Sequence, residues 1–301
     1  MLGLQVQHIS VYTENTMRVV TDDAGDVPSE LAEKDNIAVI PVNVTFGTEE
    51  YLSGIDISHK EFYEKVKEVG DHNFPKTAQP TPYQFTEFYR AIMEEGEKEI
   101  FTVTVGEKLS GTYASAEASR RELADQGTFH LFDSKGGSAA QGYMAIEAAR
   151  MAAKGESAQS IFDRLETMRE EMVVVFLIDS LEYAVRGGRV SSMRSTVASL
   201  LKIKPIMKLE DGLIVEAGKV RTYNKALDYI VNYIVERVGD KPIKLAFIHA
   251  NDPNGAIELQ KRALPLLNPE ETITTEMGLP VSINLGPGAL GIVAIPVYGA
   301  V

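Results

Sequence analysis

Segments with strand-like and helix-like patterns alternate through the first half of the chain. The buried strand pattern "RVVTDD" (18–23) precedes a helical pattern, "DVPSELAEK" (26–34), and "EIFTVTV" (99–105) precedes "TYASAEASRRELADQG" (112–127). Strands that are separated by helices usually pair in parallel, and a parallel sheet needs helices on both faces. The alternation therefore predicts an α/β fold whose first half is a parallel, three-layer α/β/α arrangement.

The second half of the chain has a different pattern. "VVVFLID" (173–179) predicts a strand, and "SSMRSTVASLL" (191–201) predicts a helix. "IKPIMKLEDGLIVEAGKVRT" (203–222) predicts two antiparallel strands joined at Asp211-Gly212, a dipeptide that is favoured in tight hairpins. We therefore expect a mixed-sheet α/β arrangement here.

The length of 301 residues favours two domains. We expect a Rossmann-like α/β domain over residues 17–165 and a mixed α/β domain over residues 166–301. Residues 1–16 lack the basic and apolar regions of a signal peptide, and we interpret them as an N-terminal extension.

Composition excludes several classes of protein. The net charge is −13, from 30 Lys and Arg against 43 Asp and Glu, which disfavours nucleic-acid binding. No apolar run is long enough for a transmembrane segment. The chain has no cysteine, which excludes disulfides and thiolate metal sites and fits a cytoplasmic location.

Known metal and nucleotide motifs are absent as well. Neither HExxH, GxxxxGK[ST] nor GxGxxG occurs, so we expect no metal and no cofactor. Asp22, Asp23 and Asp26 follow the first strand, and we interpret this acidic cluster as typical of a helix start.

Two hydroxyls and a glycine lie where a predicted strand meets a predicted helix. Ser110, Gly111 and Thr112 belong to "GEKLSGTYASAEAS" (106–119), directly after "EIFTVTV". Ligands of open α/β sheets bind where strands end and helices begin, and a helix N-terminus offers free N–H groups and a partial positive charge. This junction suits a carboxylate or a phosphate. A simple helix cap is the alternative.

Three further segments predict loops that carry polar side chains. In "FPKTAQPTP" (74–82), Thr81 is expected to cap a helix, which leaves Thr77 and Gln79 without an obvious structural role. The other two segments are "SINLGPGALG" (282–291), with Asn284, and "YAVRGGRVSS" (183–192), with Arg186 and Arg189.

These segments occur in the same order in the DegV family, which the chain resembles from Met17 onwards. "VVTDDAGDVP" is similar to the family's opening strand, "PKTAQPTP" to its TSQPS loop, "LSGTYASA" to its LSGTY loop, "RGGRVSS" to its GGR turn and "LGPGALG" to its HTGPGALG loop. The resemblance implies a lipid-binding protein that is not itself an enzyme. Its ligand is a long-chain fatty acid in an interdomain tunnel. The implied partner is a dihydroxyacetone-kinase-like fatty-acid kinase subunit, which phosphorylates the carboxylate.

The resemblance also implies roles for individual residues. Thr77 and Ser110 would hydrogen-bond the carboxylate, and Gly111 and Thr112 would supply neighbouring contacts. The family histidine of the GPG loop corresponds to Asn284, which can donate a hydrogen bond but cannot carry a charge.

Two arginines of the GGR turn, Arg186 and Arg189, are implied in contacts with the partner or its phosphate. Ala78 replaces the usual serine of the TSQPS loop. The departures at Ala78 and Asn284 affect the kinase-linked role more than they affect lipid binding.

A serine-dependent lipid or acyl ester hydrolase is the alternative function, with Ser110 as the nucleophile. Such a serine needs an oriented base, and His249 in "LAFIHAN" is the plausible candidate among five histidines. The nucleophile-elbow pattern G-x-S-x-G is absent, because the sequence around Ser110 reads Lys-Leu-Ser-Gly-Thr. The sequence therefore favours the carrier.

Overall fold

A computed structural model describes residues 17–69, 73–190 and 203–297. The strands in chain order are β1 (Arg18–Asp22), β2 (Ile37–Ile40), β3 (Asn43–Phe46), β4 (Glu49–Leu52), β5 (Lys76–Ala78), β6 (Glu99–Thr104), β7 (Thr128–Asp133), β8 (Val173–Leu177), β9 (Lys204–Glu210), β10 (Leu213–Val220), β11 (Pro242–His249), β12 (Asn268–Glu276) and β13 (Leu290–Pro296). The helices are α1 (Ser29–Lys34), α2 (His59–Glu68), α3 (Pro82–Glu94), α4 (Thr112–Glu122), α5 (Ala139–Ala152), α6 (Ala158–Glu171), α7 (Leu181–Gly187), α8 (Tyr223–Val238), α9 (Pro253–Ala263) and α10 (Leu279–Leu285), with 3-10 turns at Asp23–Gly25 and Leu264–Leu266.

The first sheet is parallel, as predicted, with the strand order β2-β1-β6-β7. Alternate side chains of its strands face opposite helix layers. Val20 and Ile100 pack under α3 and α4, whereas Val19 and Phe101 face α5. Helices therefore cover both faces of the sheet.

The second sheet has six strands in the order β10-β9-β8-β13-β11-β12, and only β11 and β12 pair in parallel. The predicted hairpin joins β9 to β10 through Asp211 and Gly212, whose φ angles are +50° and +75°. Helices α8 and α9 cover the outer face, where the buried positions of α8 recur every three or four residues. The mixed sheet is confirmed.

Helix α5 lies between the two sheets. Most of its residues are buried, and alanine at many of these positions allows close packing on both sides. The hydroxyl of Tyr143 donates to the backbone oxygen of Leu245 in β11 at 2.9 Å. The molecule is thus built in successive layers: α3 and α4, the first sheet, α5 and α6, the second sheet, and α8 and α9.

A small antiparallel sheet with the order β4-β3-β5 was not predicted. The segment 74–82 was expected to be a loop, but Lys76–Ala78 forms a strand that pairs with β3 and places Thr77 opposite Val44. The local sequence gives no signal for this strand, because a distant segment supplies its hydrogen bonds. Similarly, the first residues of the predicted loop 282–291 are helical and belong to α10.

Some sequence-based predictions remain predictions. The N-terminal extension 1–16 and the helix predicted at 191–201 lie outside the described residues. The proposed domain boundary at residue 165 falls within α6, whose buried side chains belong to a core cluster shared by both sheets. Within the described ranges, no helix has both the length and the apolar character that crossing a membrane requires.

Candidate functional site

A cavity lies between the carboxyl ends of β1 and β6 and the inner face of the second sheet. Its empty space, including the part that opens to solvent, amounts to about 890 Å³. Residues from both halves of the chain line it, as expected for a ligand site at the strand ends of an α/β sheet.

One wall of the cavity is apolar and belongs to the second sheet. Val174 and Phe176 of β8 face the cavity because they lie two residues apart on the same side of the strand. Leu209 of β9 pairs directly with Ile214 of β10, and both side chains extend the same wall. Val175, between the first two, faces the opposite core under α8.

Two hydroxyls lie at the start of α4. Ser110 Oγ and Thr112 Oγ1 are 2.9 Å apart, and both residues line the cavity. The N-cap of α4 is Gly111, which has no side-chain capping hydrogen bond. Ser110 precedes this position, so the alternative interpretation of Ser110 as a helix cap is wrong. The first-turn N–H groups of α4 therefore have no side-chain cap among the described residues.

Gly111 is required by a close contact with a neighbouring segment. A Cβ atom at this position would lie 2.9 Å from Nε2 of Gln79. Gln79 and Thr77 line the cavity from β5 and the turn that follows it. Thr81 caps α3 in a capping box with Gln84, as the sequence predicts.

Asn284 lies near the end of α10 and also lines the cavity. Its Nδ2 donates to the backbone oxygen of Pro280 at 2.7 Å. Gly187 of α7 packs against it so closely that a Cβ atom there would lie 2.7 Å from Asn284 Oδ1. One amide hydrogen of Asn284 is thus used within the helix.

The two arginines of the predicted turn have different surroundings. Arg189 lines the cavity, and its Nη1 and Nε donate to the backbone oxygens of Gly187 at 2.8 Å and Leu109 at 3.4 Å. Arg186 is not among the lining residues. It pairs with Glu182 at 3.0 Å, and its guanidinium lies 4.6 Å from the ring centroid of Phe74.

Asp22 is a cavity residue that the sequence analysis assigned only to a helix start. It is 1% exposed and accepts hydrogen bonds from the backbone N–H groups of Ala24 at 3.1 Å and Val105 at 2.8 Å and from Gln141 Nε2 at 3.0 Å. Burial raises its pKa to about 6, although these hydrogen bonds oppose the shift. The bond from Ala24 caps the 3-10 turn Asp23–Gly25. The position of Asp22 at the end of the first parallel strand was the signal for a second role.

Among the described residues, Ser110 Oγ is hydrogen-bonded to Thr112 Oγ1 and not to a histidine or a carboxylate. No histidine lines the cavity in the described part of the chain. His249 ends β11 and is 7% exposed, and burial lowers its pKa. The described residues also contain no cluster of three or more side chains that could hold a metal ion.

Comparisons with known proteins place this architecture in one family. The DegV family model, described as "Uncharacterised protein, DegV family", matches residues 16–297. A DegV domain-containing protein of Listeria innocua is 35% identical over 276 residues, which cover 91% of this chain and 96% of the relative. Protein DegV of Bacillus subtilis is 33% identical over 277 residues, which cover 91% of this chain and 97% of the relative.

Solved structures agree with the predicted two-part α/β fold. A DegV family protein from Thermus thermophilus, described by its fatty acid binding, gives a TM-score of 0.87 at 29% identity, and the match covers 94% of this chain and 100% of that protein. DegV of Bacillus subtilis, described as a fatty acid binding protein, gives a TM-score of 0.81 at 31% identity and covers 94% and 99%. On the family match, the sequence identities and the shared fold, this chain belongs to the DegV family.

Proposed function

We propose that this protein binds one long-chain fatty acid, with the acyl chain in the cavity and the carboxylate at the start of α4. The observation that carries the proposal is the division of the cavity into an apolar wall on the second sheet and a group of hydroxyl and amide side chains on the first half. A fatty acid has the same division. The fatty acid binding of the Thermus thermophilus and Bacillus subtilis relatives supports this ligand class.

The acyl chain supplies most of the binding free energy. Burying roughly 16 carbons at about 0.8 kcal/mol each gives at most about 13 kcal/mol, from which ordering and lost translation remove several. A hydrogen bond to a carboxylate contributes about 1.5–3 kcal/mol. The polar groups therefore orient the ligand, and the cavity wall holds it.

Carboxylate contacts are assigned to the polar end of the cavity. The Ser110–Thr112 pair donates the one hydroxyl hydrogen that their mutual bond leaves, and Thr77 donates from β5. The backbone N–H groups around Gly111 at the start of α4 add partial positive charge. Asn284 contributes its second amide hydrogen from α10.

The finer proposal is that the protein carries the fatty acid to a separate, dihydroxyacetone-kinase-like kinase subunit. In this scheme the carrier has no catalytic residue of its own. Arg189, exposed beside the cavity, would contact the phosphate, and Arg186 would contact the kinase.

This proposal is tested by phosphorylation of the bound fatty acid by such a kinase with ATP. Arg189→Ala should keep fatty-acid affinity and lose phosphorylation, and equal phosphorylation by both proteins would contradict the assignment.

Binding itself is tested with protein stripped of lipid. Titration with palmitate and oleate should give one site per chain, and shorter acids should bind progressively more weakly. Failure of all saturated and unsaturated acids from 8 to 18 carbons to bind would refute the proposal.

The alternative function is tested with short acyl esters. Turnover of these esters by the wild type that Ser110→Ala abolishes would support the hydrolase instead.

A further inference from the structure

Asp26 is a buried carboxylic acid outside the cavity, and it connects three separate segments. Its Oδ1 accepts from the backbone N–H of Gly278 at 2.7 Å, and its Oδ2 is hydrogen-bonded to Ser138 Oγ. Its backbone oxygen accepts from Thr275 Oγ1 at 3.0 Å. Asp26 itself is 7% exposed and is not among the residues that line the cavity.

Two of these partners, Gly278 and Ser138, lead directly to the cavity. Gly278 is the N-cap of α10, and α10 contributes four of the lining residues: Pro280, Val281, Asn284 and Leu285. Ser138, the N-cap of α5, lines the cavity itself. One carboxyl group therefore ties the start of α10 to the start of α5 in the first half of the chain.

Helix α10 depends on such contacts for its position. It has seven residues, and a helix this short has no stability of its own in water. Its N-terminal end is held by the Asp26–Gly278 bond and by two contacts of the Met277 backbone. The N–H of Met277 donates to His249 O at 2.7 Å, and its oxygen lies 3.0 Å from His59 Nε2. Among these contacts, the carboxyl of Asp26 is the group that hydrogen-bonds to both α10 and α5.

We propose that Asp26 is the positioning residue that keeps α10 closed against the fatty acid, and that its loss accelerates release of the ligand without removing any ligand contact. The inference rests on the proposed fatty-acid site. It goes beyond that site because it assigns retention of the ligand to a residue that the ligand does not touch.

The chemistry of Asp26 suggests a conservative replacement. Burial raises its pKa well above the ordinary value, and the neighbouring Asp23 and Asp22 raise it further, although the bonds from Ser138 and Gly278 oppose the shift. An asparagine has a similar shape, its oxygen can accept from Gly278, and its amide can donate to Ser138 Oγ. Asp26→Asn should therefore preserve the connection that Asp26→Ala removes.

The test compares dissociation of cis-parinaric acid from the loaded, full-length variants into excess serum albumin. Asp26→Ala should dissociate about tenfold faster than the wild type, a change that corresponds to about 1.4 kcal/mol, with little change in association. Asp26→Asn should stay within about twofold of the wild type. Amide hydrogen exchange over 278–285 should increase in Asp26→Ala and not in Asp26→Asn.

A matched control separates positioning from general destabilisation. Tyr89→Phe removes a buried hydrogen bond to Thr102 Oγ1, 2.8 Å long, in the core between α3 and the first sheet and away from the cavity. Tyr89→Phe should lower the free energy of unfolding and leave the dissociation rate of cis-parinaric acid unchanged. Should Asp26→Ala fail to fold, Thr275→Val removes the neighbouring bond to Asp26 O and should raise both dissociation and exchange over 278–285.

The outcomes are distinct. A folded Asp26→Ala protein with wild-type dissociation and unchanged exchange in α10 overturns the inference, as does an Asp26→Asn protein that behaves like Asp26→Ala. If the wild type binds no cis-parinaric acid and no palmitate, the proposed function fails, and hydrogen exchange in α10 still tests the connection on its own.

Discussion

Ser110 Oγ and Thr112 Oγ1 lie 2.9 Å apart on either side of Gly111, at the first turn of α4. Each hydroxyl has one hydrogen, and their mutual bond uses one of the two. The pair therefore retains one hydrogen for a ligand, and the bond between the hydroxyls polarises that donor. A neutral site of this kind orients a carboxylate without placing a buried positive charge beside it.

Ser110→Ala should weaken fatty-acid binding without abolishing it. Loss of a hydrogen bond to a charged group corresponds to a roughly ten- to hundredfold increase in Kd, while the acyl chain keeps its contacts. Competition against a fluorescent fatty acid measures the change. Thr167→Ala, which removes a hydroxyl from α6 that bonds Asp163 O, is the control and should bind normally. Complete loss of binding by a folded Ser110→Ala protein would contradict this division of the binding energy.

Adjacent valines of β8 provide a matched test of the cavity wall. Val174 faces the cavity and Val175 faces α8, and both are largely buried. Each change to alanine removes two methyl groups and should lower stability by about 2 kcal/mol. Only Val174→Ala should also raise the Kd for palmitate, by about three- to tenfold. Equal effects of the two variants on palmitate titrations would place the acyl chain elsewhere.

Asp22 predicts a pH dependence of stability. Because its pKa is raised from 3.8 to about 6, the folded chain binds more protons than the unfolded chain between these pH values. Its contribution to stability therefore falls as the pH rises through this window, by about 1.4 kcal/mol per pH unit and roughly 3 kcal/mol by pH 7. Asp22→Asn removes this titration, so its stability should rise relative to the wild type from pH 4 to pH 7.

Urea unfolding at several pH values between 4 and 7.5 measures this difference. Asp125→Asn, at an exposed position, is the control and should follow the wild type. Parallel curves for the wild type and Asp22→Asn would mean that Asp22 does not titrate in this range.

A network of ion pairs joins the two halves of the chain at the opposite end of β11 from the cavity. Glu147 of α5 lies 2.5 Å from Lys244 Nζ and 2.9 Å from Arg164 Nε, and its side chain is 15% exposed. Although burial alone would raise its pKa, the two cations hold the pKa of Glu147 below its ordinary value.

Glu147→Gln should cost about 2–4 kcal/mol, because it removes the partly buried anion that Lys244 and Arg164 share. Urea unfolding measures the loss. Glu64→Gln, which breaks an exposed pair with Lys60, should cause no measurable change. Equal stability of Glu147→Gln and the wild type would show that this network does not hold the halves together.

Local patterns were sufficient to predict the parallel sheet and the β9–β10 hairpin. Alternation of strands with helices constrains the pairing of β1, β2, β6 and β7, and Asp211-Gly212 determines a tight turn by its backbone preferences alone. The cavity residues Ser110 and Thr112 were also accessible from sequence, because hydroxyls at a strand–helix junction have a recognisable chemistry.

Contacts between distant segments could not be predicted. The short strand that carries Thr77 exists because β3 pairs with it, and no local periodicity indicates that pairing. Asp26 meets Gly278 across 252 positions of sequence, so its acidic side chain looked like any helix-start residue. The role of Asp22 could not be predicted for the same reason, since a carboxylate that caps a helix and one that lines a cavity have the same local sequence.

The most direct test of the account is mass spectrometry of an organic extract of the purified, untreated protein under denaturing conditions. A single acyl-chain site in the cavity predicts close to one long-chain fatty acid per chain, and a clearly lower content for a Val174→Ala protein prepared identically. An extract of folded wild-type protein that contains no fatty acid, together with no uptake of added palmitate, would contradict the claim that the cavity holds an acyl chain.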